Sequence, residues 1–81
     1  MNHTDVIKKV MTQEGVRQID LVKQIGAASQ SVVSARINQK NISAKALLEI
    51  LDSMGYEIVV RKSYGEYRDG EYPIRLADYT E

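Results

Sequence analysis

Residues 18–38 read Q-I-D-L-V-K-Q-I-G-A-A-S-Q-S-V-V-S-A-R-I-N, two short amphipathic helical patterns hinged at one glycine. In the first pattern Leu21, Val22 and Ile25 recur at helical spacing on one face, and Gly26 stands where a helix ends and the chain must turn. In the second, Ser29 is a good N-cap, and Val33 and Ile37 lie one turn apart facing inward. That register leaves Gln30, Ser31, Ser34 and Asn38 outward. Ala27 and Ala28, between Gly26 and the cap, leave a second register open. In it Val32 points inward, Ala35 becomes the next core position, and the outward set is Ser31, Ser34 and Asn38.

The sequence on either side supplies two more helices. The first is expected from Thr4 or Asp5 to Glu14, with Val6, Ile7, Val10 and Met11 on its inner face and Gly15 ending it. After the polar loop N-Q-K-N, Ser43 caps a closing helix whose apolar stripe is Ala46, Leu47, Ile50, Leu51 and Met54, stopped at Gly55. The helix that carries Leu21 starts poorly. Arg17 holds its N-cap place, cannot accept backbone N–H bonds there and forfeits about 1 kcal/mol of capping, part of which Asp20 can recover through the helix dipole.

Eighty-one residues make one small chain that buries only about 60 to 65% of its unfolded surface, so a second copy is a natural source of added stability. The absence of cysteine excludes a disulfide framework and a thiolate metal site, and no metal or cofactor is expected. The start M-N-H-T-D-V-I-K-K has no uninterrupted apolar segment, and nowhere do eighteen apolar residues run together. The expectation is a soluble, cytoplasmic protein with no membrane partner. It is not expected to be an enzyme: there is no thiol nucleophile, Gly-rich phosphate loop or G-x-S-x-G, and the lone His3 lies beside a terminus expected to fray.

A net charge of zero conceals two unlike parts. From Gly15 to Leu48 five bases, Arg17, Lys23, Arg36, Lys40 and Lys45, face the single acid Asp20, a net of +4; from Glu49 to Glu81 eight acids outweigh four bases, a net of −4. The basic part coincides with the glycine-hinged pair. A basic segment of this kind gains affinity for a polyanion by releasing counterions, and an acidic tail suppresses non-specific binding or meets a partner. The outward row points the same way, because a solvated helix face usually carries Lys and Glu, whereas Gln, Asn and Ser hydrogen-bond base edges and sugar-phosphate. Double-stranded DNA is the partner these features suggest.

The run Q-x-x-L-V-x-x-I-G, followed by S-Q-S-V-V-S-A-R-I-N and then I-S-A-K-A-L-L-E-I-L-D-S-M-G, resembles the Cro/Xre-type helix-turn-helix family of bacterial and phage regulators over about residues 4–55. The chain departs from the family at Arg17, where Thr or Ser is usual, and in a turn one residue longer than the common form. The resemblance implies a mainly α, four-helix, lambda-repressor-like domain over residues 1–55, in which the second helix of the pair enters the major groove. On that docking mode Gln30, Ser31, Ser34 and Asn38 contact bases, while Gln18, Lys40, Asn41, Ser43 and Lys45 hold the phosphate backbone, with Arg36 able to serve either role.

Past Gly55 the composition changes, and residues 56–81 hold all five tyrosines and the only proline. Tyr56 to Arg61 is rich in β-branched residues and reads as a strand; Asp69-Gly70 is a turn dipeptide, and Glu71 to Leu76 forms a second strand that Pro73 confines to an edge or bulge. A lone hairpin is marginal in water, so it must pack on the helices or pair with another chain. Some Xre-type regulators, antitoxins among them, dimerise through such a C-terminal strand. The resemblance therefore implies a two-fold dimer through residues 56–62, with Tyr56, Ile58, Val59 and Val60 at its interface and two reading helices about 34 Å apart. The leading function is a sequence-specific transcriptional regulator, a repressor, binding a palindromic operator as a homodimer. The alternative is an antitoxin-like module whose acidic, Tyr-rich tail binds a partner protein while the helical part represses its own operon.

Overall fold

The computed structural model describes residues 1–62 and 70–79, and within them the chain is mainly helical with one small antiparallel hairpin. Four helices come first: α1 (His3–Glu14), α2 (Gln18–Gln24), α3 (Gln30–Ile37) and α4 (Ala44–Ser53). Strands β1 (Ile58–Val60) and β2 (Tyr72–Ile74) follow, and a single 3₁₀ turn over Leu76–Tyr79 closes the described chain. Asp69 and the tyrosines at 64 and 67 lie outside the described residues, so the turn expected at Asp69-Gly70 does too.

The helices are short because their ends are chemically fixed. Asn2 accepts from the Asp5 N–H at 2.9 Å while Asp5 accepts from the Asn2 N–H at 3.2 Å, a reciprocal box that starts α1 at His3, one residue before Thr4 and two before Asp5. Three helices then stop in the same way. A glycine turns left-handed, as Gly26 does at φ +67° and Gly55 at +85°, and the N–H of the next residue reaches back to a carbonyl five positions earlier. These bonds run from Val16 to Met11, from Ala27 to Val22 and from Tyr56 to Leu51, each at 2.9 Å. Each also folds an apolar residue, Val16, Ala27 or Tyr56, back onto the core.

That core consists of Ile7 and Val10 from α1, Leu21 from α2, Val33 and Ile37 from α3, and Ile50, Leu51 and Met54 at the end of α4. No polar side chain is buried among the described residues, so the interior is held by apolar burial and close packing alone. No helix among them is long and apolar enough to cross a membrane.

The stripe expected on α4 is incomplete. Ala46 and Leu47 are only half-buried, whereas Leu48, outside that stripe, has 0% exposure. Leu48 lies about 110° around α4 from the core-facing residues at about 100° per residue, and it lines a cleft with Tyr56, Leu76 and Ala77. The cover is the 3₁₀ turn, which packs on α4. The 3₁₀ turn is thus docked on the helices, and α4 is apolar on two flanks because it has two neighbours.

The hairpin pairs Ile58 with Ile74, Val59 with Pro73 and Val60 with Tyr72. Pro73 sits in a two-stranded sheet, where both strands are edges, as its missing N–H requires. Ile58 packs against the core, while Val59, Val60 and Tyr72 stay 42%, 51% and 63% exposed.

Leu48→Ala is expected to lower unfolding free energy by about 2–5 kcal/mol in urea titration of the intact chain. A loss under about 0.5 kcal/mol, the range of neutral surface changes, would show that the tail does not seal this side of α4.

Candidate nucleic-acid interface

Val33 and Ile37 both have 0% exposure, which selects the first of the two registers for α3. Val32 is half-buried and Ala35 exposed, so the second register does not occur. With these two residues inward and about 100° per residue, Gln30, Ser34 and Asn38 form one line along a flank of α3, Ser31 lies beside them, and Ala35 is the outermost residue. Gln30, Ser31 and Asn38 are exposed and Ser34 is half-buried. Ser29 caps the helix through its Oγ, which accepts from the Val32 N–H at 3.4 Å.

Asn38 is also the C-cap of α3, and its amide Nδ2 donates to the Ser34 carbonyl at 2.8 Å. One of its donors is therefore committed to closing the helix, leaving the amide oxygen and one N–H for an outside partner. Arg36 is on the other flank. Its guanidinium lies 3.9 Å from the Glu49 carboxylate of α4, which separates it from the polar line and ties α3 to α4.

The residues expected to hold a phosphate backbone lie in the loop after α3 and at the starts of α4 and α2. Lys40 and Asn41 are exposed in the loop after α3, Ser43 caps α4 by accepting from the Ala46 N–H at 3.1 Å, and Lys45 is exposed in the first turn of α4. Gln18 is half-buried at the first position of α2. The loop bearing Lys40 and Asn41 is anchored from a distance. The Thr4 hydroxyl donates to the Ile37 carbonyl at 2.7 Å, and the His3 ring nitrogen Nε2 lies 2.7 Å from the Gln39 carbonyl. His3 is thus neither frayed nor idle, but packs the start of α1 on the end of α3. These two positioning residues were not legible as such, because their partners are more than thirty positions away; the N-x-x-D box at Asn2 was the available signal that the terminus is ordered.

The basic segment is only partly free. Arg17 pairs with Asp20 at 3.3 Å and Arg36 faces Glu49, while Lys23, Lys40 and Lys45 have no ion pair among the described residues. Arg17 makes no cap with its own side chain, but its backbone N–H donates to the Asp20 carboxylate at 2.9 Å. That bond, then the Arg17 guanidinium, holds the Asp20 carboxyl below the usual range. The expected recovery at α2 is therefore a specific hydrogen bond as well as a dipole effect.

Comparison with protein-family models, characterised proteins and solved structures finds no match to this chain. The likeness to the Cro/Xre type consequently stands on its motif residues.

A depressed folded-state pKa at Asp20 stabilises the chain fully above the unfolded carboxylate value near 4, and this stabilisation is lost as pH falls through the lower folded value. The stability difference between the native chain and Asp20→Asn is expected to be constant from about pH 5 to 7 and to shrink below about pH 4. A difference that grew on acidification in urea titrations would contradict the assignment.

Proposed function

We propose that this protein is a sequence-specific DNA-binding regulator, a repressor, that presents α3 to the major groove and acts on a palindromic operator as a homodimer. The observation that carries the reading is the outward flank of α3, where Gln30, Ser31, Ser34 and Asn38 form a polar, uncharged row, followed along the chain by exposed Lys40, Asn41 and Lys45. Uncharged amides and hydroxyls suit base edges and lysines suit phosphates, so the segment from α3 to the first turn of α4 offers both kinds of contact. α3 is short and its inward residues are locked in the core, which makes it a rigid probe. Burial of Ile37 and the bonds from His3 and Thr4 keep the phosphate-binding loop in register with it.

The unlike charges of the two halves support the same reading. The lysines supply affinity that is insensitive to sequence and sensitive to salt, while the acidic tail keeps the whole chain near neutrality and limits non-specific binding. The homodimer explains how so small a surface reaches operator affinity, since two copies read two half-sites.

Selection from random duplexes at fixed salt is expected to enrich a two-fold symmetric site. Gln30→Ala relaxes preference at one position in each half-site, whereas Lys40→Ala weakens all sequences alike and lowers the slope of log affinity against log salt by about one. Absence of any enriched sequence, together with affinity that does not fall as salt rises, would overturn the proposal.

A further inference from the structure

Ala35 stands at the crown of α3, opposite the midpoint of the buried pair Val33 and Ile37. At about 100° per residue, Ser31 lies about 40° to one side of it and Val32 about 60° to the other. Ala35 is exposed; Val32 is half-buried and, among the described residues, stands outside the group packed against the core. The outward surface of α3 therefore carries an apolar strip beside its polar row. Neither side chain of the strip can donate or accept a hydrogen bond, so the polar contacts expected of Gln30, Ser31, Ser34 and Asn38 leave it unexplained.

The strip has the dimensions of a single methyl group. Residues three apart on a helix hold their Cβ atoms about 5–6 Å from each other, and a methyl group set between them touches both at about 4 Å. Of the groups that base pairs present in the major groove, the C5-methyl of thymine is the only apolar one. We propose that Ala35 and Val32 seat the methyl group of one thymine in each half-site, which makes Ala35 a specificity-determining residue. The inference rests on the DNA-reading function proposed above and names a base that the crown of α3 selects.

Selection follows from what the alternatives would leave behind. Cytosine in the same place has a bare C5, which leaves the notch unfilled, and an adjacent amino donor that neither Ala35 nor Val32 can satisfy. The small side chain at the crown matters as well, because it lets the helix backbone approach the base edges closely. A protein partner fits the strip poorly. A specific interface buries about 800 Å² on each side, whereas this strip is one Val and one Ala, with exposed Ser31 and Asn38 on one side and Arg36, engaged toward Glu49, on the other. Exposed Lys40 and Lys45, which have no ion pair among the described residues, complement a polyanion instead.

The test uses the full chain and the duplex selected at fixed salt. Each thymine is replaced in turn by deoxyuridine, which removes the methyl group and keeps the O4 acceptor, and affinity is measured by fluorescence anisotropy. One thymine in each half-site is expected to show a loss of roughly three- to fivefold on losing its methyl group. In Ala35→Gly and in Val32→Ala the thymine-to-uracil affinity ratio at that place is expected to fall toward one, whatever uniform loss the variant brings, while Lys40→Ala keeps the native ratio. Glycine weakens an eight-residue helix, so Val32→Ala, which introduces a strong helix former, carries the test by itself if Ala35→Gly does not fold. A selected site without a fixed thymine, a site at which no uracil substitution matters, or a ratio that Val32→Ala leaves at its native value would each overturn the inference and leave the DNA-reading proposal standing. If no sequence is selected at all, both fall together.

Discussion

Burial of Val33 and Ile37 is the constraint on which the rest of the molecule depends, because α3 has only eight residues and two of them are sealed in the core. Rotation of so short a helix by one position would bring Val32 and Ala35 inward, exchange two well-filled sites for a smaller side chain and leave a void costing a few kcal/mol. The outward surface is the complement of that choice. Gln30, Ser34 and Asn38 share a flank because Val33 and Ile37 take the inward face beside it, and Ala35 crowns the helix for the same reason. Everything proposed about recognition is therefore inherited from a packing decision made on the far side of the helix.

A second consequence concerns the loop after α3. Thr4 and His3 reach the carbonyls of Ile37 and Gln39, so the end of α3 is held by α1 as well as by its own Asn38 cap. The backbone carbonyls there would otherwise be unpaired at a helix terminus. Lys40 and Asn41 thereby extend from a braced turn, which is what a phosphate-positioning segment needs to keep register with a reading helix. Arg36 contributes in a different way, bridging toward Glu49 on α4.

Local features were the legible ones. Gly15, Gly26 and Gly55 marked helix ends, Ser29 and Ser43 marked starts, and the apolar spacing picked out Ile7, Leu21, Ile37 and Ile50, since each rests on neighbours within one or two turns. What escaped notice depends on partners far along the chain. Leu48 stands outside the stripe expected on α4 and is covered by the 3₁₀ turn over Leu76–Tyr79, which follows a proline-bearing strand with no helical periodicity of its own. Tyr56 resembled an interface aromatic by type, but the backbone bond from its N–H to Leu51 folds it inward. For the candidate site, side-chain identity was readable and side-chain engagement was not: nothing in an Asn at position 38 announces that one of its donors closes the helix on Ser34.

The central claim is that α3 and its braced loop form the reading surface, and amide chemical-shift mapping during titration with the tightest duplex from site selection addresses it directly. The largest changes are expected at residues 29–41 and at the start of α2 near Gln18, with the hairpin and the middle of α1 nearly unmoved. Shifts concentrated in residues 56–62 and 72–79 while α3 stays silent would contradict it, and would place the DNA contact on the tail.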